Sequence, residues 1–225
     1  MVHKGGSMIK VLNLYAGIGG NRKLWKNVRV TAVELNPQIA KIYKDFFPKD
    51  KVIVGDAHAY LLEHYNEFDF IWSSPPCPTH SRINFSNGGR WKYKYADMHL
   101  YQEIIHLKHW FEGNWVVENV ISYYEPLIKP QKSGRHYFWS NFTIPKKDYG
   151  VQIRTLMHGT RKKNIREAQI PELTTLHGFD LSKIKIKNKR QIMRNCVLPE
   201  LGLFVFNCAY KVKQQTFSTK KEVEA

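Results

Sequence analysis

The stretch "IKVLNLYAGIGG", residues 9–20, decides how this chain folds. Residues 9–14 are a short apolar run rich in β-formers, and a glycine-rich turn follows without a gap. Gly17, Gly19 and Gly20 let the backbone turn tightly and approach a ligand closely. In an open parallel sheet, ligands bind beyond the carboxyl ends of the strands, so this turn marks a binding rim. Arg22 stands where the third glycine of a dinucleotide fingerprint would fall, which argues against a pyrophosphate site.

Working outward, the same pattern recurs. "VRVTAVEL" (28–35), "KVIVG" (51–55), "FDFIWS" (68–73) and "WVVENV" (115–120) read as further strands. Helical pieces lie between them. "PQIAKIYKDFF" (37–47) opens with Pro37 after a capping Asn36. Leu100, Ile104, Leu107 and Phe111 recur at helical spacing after Asp97. Strands alternating with helices predict an α/β fold, a mostly parallel sheet with helices on both faces. After Tyr124 the alternation loosens. "RHYFWSNFTI" (135–144) reads as a strand, and residues 146 to about 167 as basic and aperiodic. Residues 190–213 read as a helical region bent near Pro199. The expected division is a core over 8–145, a small basic insert over 146–175 and a return to the core over 176–213. "MVHKGGS" (1–7) reads as a leader, and 214–225 as a polar tail that frays.

The chain has 225 residues, enough for one sizeable core. Its apolar runs fall short of membrane length, so no membrane is expected. Cys77, Cys196 and Cys208 are too few and too scattered for a disulfide framework or a zinc site. A reducing, cytoplasmic setting is expected, with no metal. Thirty-five Lys/Arg against nineteen Asp/Glu give a net charge of +16. The excess is segregated, because residues 146–194 hold thirteen Lys/Arg and four Asp/Glu. Segregated positive charge points to a polyanion, nucleic acid first.

Two acids and a thiol fall on the predicted rim. Glu34 ends the second strand, where a carboxylate can accept from ribose hydroxyls; Asp56 follows the third and could accept from an adenine amine. Singly, each also reads as a solvated strand-end acid; with the glycine turn they point to an adenosine-containing ligand. Cys77 ends the fourth strand in "SSPPCPTHS" (73–81), stiffened by Pro75 and Pro76. A buried structural cysteine is the competing reading, and the polar loop "PTHSRINFSNGGRWKYKY" (78–95) beside it fits that poorly. Cys196 and Cys208, in apolar helical surroundings, are read as structural.

These residues carry a resemblance. "NLYAGIGG", "VELNP", "GDAHAY", "SSPPCPTHS", "VVENV", "PQKSGRHYFW", "LHGFD" and "RNCV" occur in the order found in cytosine-C5 DNA methyltransferases. The chain resembles a small member of that family from about Ile9 to Tyr210. The resemblance implies a Rossmann-like S-adenosylmethionine-dependent methyltransferase fold and transfer of the donor's methyl group, leaving S-adenosylhomocysteine. The substrate it implies is a cytosine flipped out of double-stranded DNA. Cys77 would add to C6, Glu118 would hold N3 and the exocyclic amine, and Arg135 would bind O2. Tyr15, Ala16, Gly17, Gly19, Gly20, Glu34, Leu35, Asp56, Ala57, Pro76, Asn195 and Val197 would line the donor pocket. Asn13 stands for a frequent aspartate, Pro78 for a frequent glutamine, Ser133 for the first arginine of Gln-x-Arg-x-Arg (from Gln131), and Arg194 for a glycine.

Ser81, Arg82, Arg90, Lys92 and Lys94 in the loop after Cys77 are expected to meet nucleic acid. So are Arg154, Arg161, Lys162, Lys163 and Arg166 in an insert so short that the recognised sequence should be two to four base pairs. The protein is expected to act as a monomer in a bacterial, archaeal or phage-infected cell. A tRNA cytosine-C5 methyltransferase of the same fold stays open, as does a catalytically inactive DNA-binding accessory protein. The role, restriction–modification, phage self-protection or regulation, stays open too.

Overall fold

A computed structural model describes residues 8–82, 92, 94–150 and 163–218. Five parallel strands form first: β1 (Ile9–Leu14), β2 (Val28–Glu34), β3 (Lys51–Val54), β4 (Phe70–Ser73) and β5 (Asn114–Val120). An antiparallel hairpin, β6 (Gln131–Ser133) and β7 (His136–Ser140), completes a seven-stranded sheet in the order β3-β2-β1-β4-β5-β7-β6. Helices α1 (Pro37–Phe46), α2 (Ala57–His64) and α3 (His99–Trp110) cross between parallel strands. Beyond the hairpin come α4 (Lys163–His177), α5 (Lys189–Arg194) and α6 (Pro199–Ser218).

Apolar runs without alternation bury both faces. Leu12, Leu14 and Ile71 pack against Leu61 of α2 and Leu100, Ile104 and Leu107 of α3. Val11, Phe70, Trp72 and Val116 pack on the opposite face against Leu201, Val205 and Phe206 of α6. The stretch Lys189–Tyr210 has the length and hydropathy of a membrane span. It is broken at residues 195–198 by the end of α5, and its apolar side chains complete this core.

Local chemistry sets the helix starts. Asn36 Oδ1 accepts from the Gln38 and Ile39 amides at 2.9 and 3.2 Å, and Pro37 follows at the first helical position. Asp56 Oδ1 caps α2 in the same way, accepting from His58 and Ala59 at 2.8 and 3.2 Å. Three details differ from the sequence reading. Helix α4 begins at Lys163, inside the stretch read as aperiodic. The region 190–213 is two helices rather than one bent helix. Helix α6 continues to Ser218, into the segment expected to fray.

The "LHGFD" stretch braces the glycine turn from behind. Phe179 is buried against Phe46 and Phe47. Lys23 donates to the His177 and Gly178 carbonyl oxygens and lies 4.1 Å from the Phe179 ring centroid. His177 is buried, and burial plus the Lys23 charge push its imidazole down to about 4. An unfolded histidine titrates near 6.5. Between those values the unfolded chain binds a proton that the folded chain refuses, so stability present above pH 6.5 is lost as pH falls toward 4. Between pH 7 and 4.5 this group should remove roughly 2 kcal/mol of stability. Urea melts of wild type and His177→Gln should differ in acid sensitivity by about that amount; equal pH slopes would refute the assignment.

Candidate active site

The sheet reverses its order between β1 and β4, and the strand registers decide what meets there. Leu14 pairs with Ser73 and Val33, and Ser73 pairs with Val117. Glu34 pairs with Val54. The residues just beyond this level, Tyr15, Glu34, Ser74 and Glu118, therefore share one rim, at the switch point where open sheets leave a crevice. The glycine turn and the loop that carries Cys77 leave the ends of two paired strands, β1 and β4, although sixty residues separate Gly17 from Cys77 in sequence.

On the cofactor side, Tyr15 and Gly17 take positive φ angles of 54° and 55°, which fold the turn back over the β1 end. Glu34 holds it: Oε2 accepts from the Gly17 amide and Oε1 from the Asn36 amide, each at 2.9 Å. Gly19 and Gly20 are required for packing. A methyl on Gly19 would meet the Tyr43 ring at 2.9 Å; one on Gly20 would press on the Val197 carbonyl oxygen and the Cys196 Cβ. That contact brings Val197 to the turn; the Asn195 side chain accepts from Gln191 Nε2 at 2.6 Å. The Ala16 and Ala57 side chains are buried in the core, so those residues can offer a ligand their backbone. Leu35 is 69% exposed beside Glu34, and Pro76 is exposed next to Cys77.

One departure from the family pattern, Asn13, and one from the dinucleotide fingerprint, Arg22, are accommodated. Asn13, fully buried, pairs its amide with Asn21, whose Nδ2 donates to Asn13 Oδ1 at 2.7 Å. Arg22 has a structural role. Its guanidinium donates to both Asp50 oxygens at 2.9 and 3.1 Å and to the Trp25 carbonyl at 2.8 Å.

Beneath the rim lies a carboxylate that sequence reasoning missed. Glu103 of α3 is 1% exposed. It accepts from the Tyr15 hydroxyl and the Ser73 hydroxyl, each at 2.6 Å, and His58 Nδ1 lies 3.1 Å away. This ties the turn after β1, the end of β4 and α2 to one group. The Glu103 bond raises the His58 pKa; burial and Glu103 raise that of Tyr15. A glutamate among buried apolar positions of a helix was the available signal.

On the reactive side, Cys77 is partly buried in a turn whose carbonyl accepts from the His80 and Ser81 amides, each at 3.0 Å. Asn119 Nδ2 donates to the Pro75 carbonyl at 2.9 Å and pins the loop to β5. Burial, and then the negative charge of Glu118, push the Cys77 thiol above its ordinary range, and a backbone hydrogen bond partly offsets them. Glu118 is 6% exposed, and His136 Nδ1 lies 2.5 Å from its Oε1. So His136 is a side-chain partner of Glu118. Arg135 is exposed at the β6–β7 turn. Burial, then Arg190 and Arg135, lower the Arg194 pKa, so a cationic group gathers beside the hairpin. Ser133 is buried and Gln131 is bonded within the hairpin.

Of the expected nucleic-acid contacts, Arg82, Lys92 and Lys94 are exposed, and Ser81 bridges to Ser122. Lys163 and Arg166 lie on α4. Arg90, Arg154, Arg161 and Lys162 lie outside the described residues. Among the described residues, no cluster of three or more His, Cys, Asp or Glu is placed to hold a metal.

Parts of the chain match known proteins. It is 30% identical over 82 residues to the tRNA (cytosine(38)-C(5))-methyltransferase of Homo sapiens, covering 33% of this chain and 21% of that protein. The Rattus norvegicus protein of the same name matches equally. The match thus spans about a fifth of the length of these relatives. Among solved structures, a Spodoptera frugiperda DNMT2 mutant superposes with a TM-score of 0.44 at 17% identity, over 72% of this chain and 65% of that one. The putative methyltransferase yhhF from Escherichia coli gives 0.38 at 14%, over 59% and 74%. The sequence profile described as C-5 cytosine-specific DNA methylase matches residues 9–121, half of the chain and all of the β1–β5 rim. The chain belongs to the C-5 cytosine-specific DNA methylase family.

Proposed function

We propose that this protein transfers a methyl group from S-adenosylmethionine to C5 of a cytosine flipped out of double-stranded DNA, through a covalent bond between Cys77 and C6. The observation that supports this reading is the register that ends β1, β4 and β5 side by side at the switch point, with Glu118 near enough to Cys77 for its charge to raise the thiol.

The residues present suit the donor. Glu34 is held at the β2 end for ribose hydroxyls, Asp56 stands at the β3 end for an adenine amine, and Leu35 offers an exposed apolar face to a base. The space beside the Gly17 Cα is open, so the turn can receive the amino-acid end. When bound, S-adenosylmethionine supplies an electrophilic methyl group on a cationic sulfur. Cytosine C5 is a weak nucleophile. Addition of the Cys77 thiolate to C6 shifts the ring electrons so that N3 takes a proton and C5 becomes enamine-like. Glu118 is placed to hold N3 and the exocyclic amine as that charge develops. Loss of the C5 proton then expels the Cys77 sulfur. The raised Cys77 thiol pKa means that the free protein holds the thiol protonated, and positive charge brought near it on binding would favour the thiolate. Flipping the base costs a few kcal/mol of unstacking, which contacts from exposed Arg82, Lys92, Lys94 and Arg135 would help offset.

The family description supports DNA as substrate. A second reading, cytosine-C5 methylation of tRNA, is supported by the names of the curated relatives. Labelled methyl transfer to duplex DNA and to tRNA, run side by side, separates the two. The expected result is label in DNA, mapped to a cytosine within a site of two to four base pairs. Label confined to tRNA would overturn the DNA assignment, and a long strict DNA site would overturn the minimal-recognition reading.

A further inference from the structure

We infer that His136 is a positioning residue for Glu118, holding its carboxyl by a hydrogen bond to Oε1 and counter-charging it when the base takes up a proton. This rests on the proposed cytosine-C5 chemistry and adds a group to it.

The placement follows from strand pairing. Strands β5 and β7 run antiparallel with Glu118 opposite Phe138 and Val120 opposite His136. Residues two apart share a sheet face, so Glu118 and His136 are diagonal neighbours, within reach of long side chains. Their side chains close the gap to 2.5 Å between Nδ1 and Oε1. Glu118 is 8% exposed in its side chain and His136 26%, so the pair is shielded on the carboxylate side and reaches solvent through the ring. On the other flank, Ser133 of β6 pairs with His136, and the Phe138 ring lies 6.1 Å from the imidazole. The charged and titratable groups on this side include Glu118 from β5, Cys77 beyond Glu118, Arg135 next in its own chain, and Arg190 and Arg194 of α5, whose charges interact with Arg135 or with each other.

A carboxyl that serves N3 must keep one oxygen turned to the ring. Anchoring Oε1 leaves Oε2 free for the base. When the Cys77 thiolate adds to C6, the S–C6 bond forms, the C5=C6 pair moves to C4=C5, and the C4=N3 pair goes to N3. In the bound complex Glu118 must first take up a proton from solvent on Oε2; N3 then takes that proton and the carboxylate is restored. That negative charge lies 2.5 Å from His136 Nδ1. An Nδ1–H donor stabilises it, and an imidazolium does so more strongly. When the C5 proton has left and the sulfur departs, the N3 proton returns to Glu118 and from there to solvent. No proton is gained or lost by the pair.

The test uses the full chain and two readouts. The first is exchange of tritium from C5 of cytosine in substrate DNA without methyl donor, which reports thiol addition, N3 protonation and proton exchange at C5 without methyl transfer. The second is methyl transfer with kcat and the donor KM measured from pH 5.5 to 8.5. Expected for His136→Ala is a fall in exchange and in kcat of roughly 10- to 100-fold, with donor KM unchanged within about two-fold. His136→Asn puts an uncharged N–H near the Nδ1 position. It should recover part of the loss and flatten the acid side of the kcat–pH profile. Imidazole added to His136→Gly should restore exchange.

Exchange by both His136→Ala and His136→Asn at the wild-type rate, with an unchanged pH profile, would overturn the inference and leave the proposed function standing. Loss in all variants with no recovery by Asn or by imidazole would assign His136 a structural role and also overturn it. Absence of exchange in wild type itself would strike the proposed function instead.

Discussion

Cys77→Ala should reduce methyl transfer by about 10⁴-fold or more while nucleic-acid binding stays within about three-fold of wild type. Cytosine C5 attacks nothing until C6 carries a nucleophile, so removing the sulfur deletes the covalent route rather than slowing one step of it. The substitution is mild for the fold. Cys77 lies in a turn held by backbone bonds to His80 and Ser81 and by the Asn119–Pro75 contact, none of which uses the sulfur. Methyl-labelled donor with DNA and with tRNA measures the first quantity, and titration of the same nucleic acids measures the second. Retention of more than a tenth of the activity would exclude the covalent mechanism. A wild type that binds DNA but methylates neither substrate would favour the inactive accessory protein.

The second large effect is on stability. Gly202 lies in the first turns of α6, where the helix crosses the segment just after the glycine turn. A methyl there would sit 2.6 Å from the Asn21 Cα and closer still to the Asn21 carbonyl oxygen. Both neighbours are backbone, and neither has room to give. Asn21 is fixed by its bond to buried Asn13, and the Gly202 carbonyl accepts from the Trp25 indole at 3.1 Å. Gly202→Ala must therefore push α6 off the sheet or distort the turn. The expected cost is about 3–5 kcal/mol, a fall in melting temperature on the order of 10 °C for a chain of this size. Calorimetry would check it. A change under about 2 °C would mean that α6 packs more loosely than its contacts with Val11, Phe70 and Trp72 require. Donor affinity should fall as well, because the displaced segment carries the turn.

Much of this protein is legible in its amino-acid sequence. Apolar runs of four to eight residues, each followed by a turn or cap, mark the five parallel strands. Asn36 and Pro37 mark the start of α1 because side-chain capping is a local interaction. The strand-end placement of the glycine turn, Glu34, Asp56, Cys77 and Glu118 is legible for the same reason: it depends on where each strand stops. Residues 163–177 read poorly because their periodicity is weak, and Pro171 lies inside the helix that tertiary packing imposes.

What the sequence determined by itself is therefore the set of strands, their caps and the chemical groups at their ends. Tertiary structure alone decided which of those ends are neighbours. Strand order and register are set by side chains far apart in the chain packing together. The 2.5 Å approach of His136 to Glu118 joins residues eighteen apart, the Glu103 bonds join residues up to eighty-eight apart, and the Arg22–Asp50 pair spans twenty-eight. Such contacts form only when the whole sheet closes, because each needs the desolvation and alignment that its neighbouring strands provide.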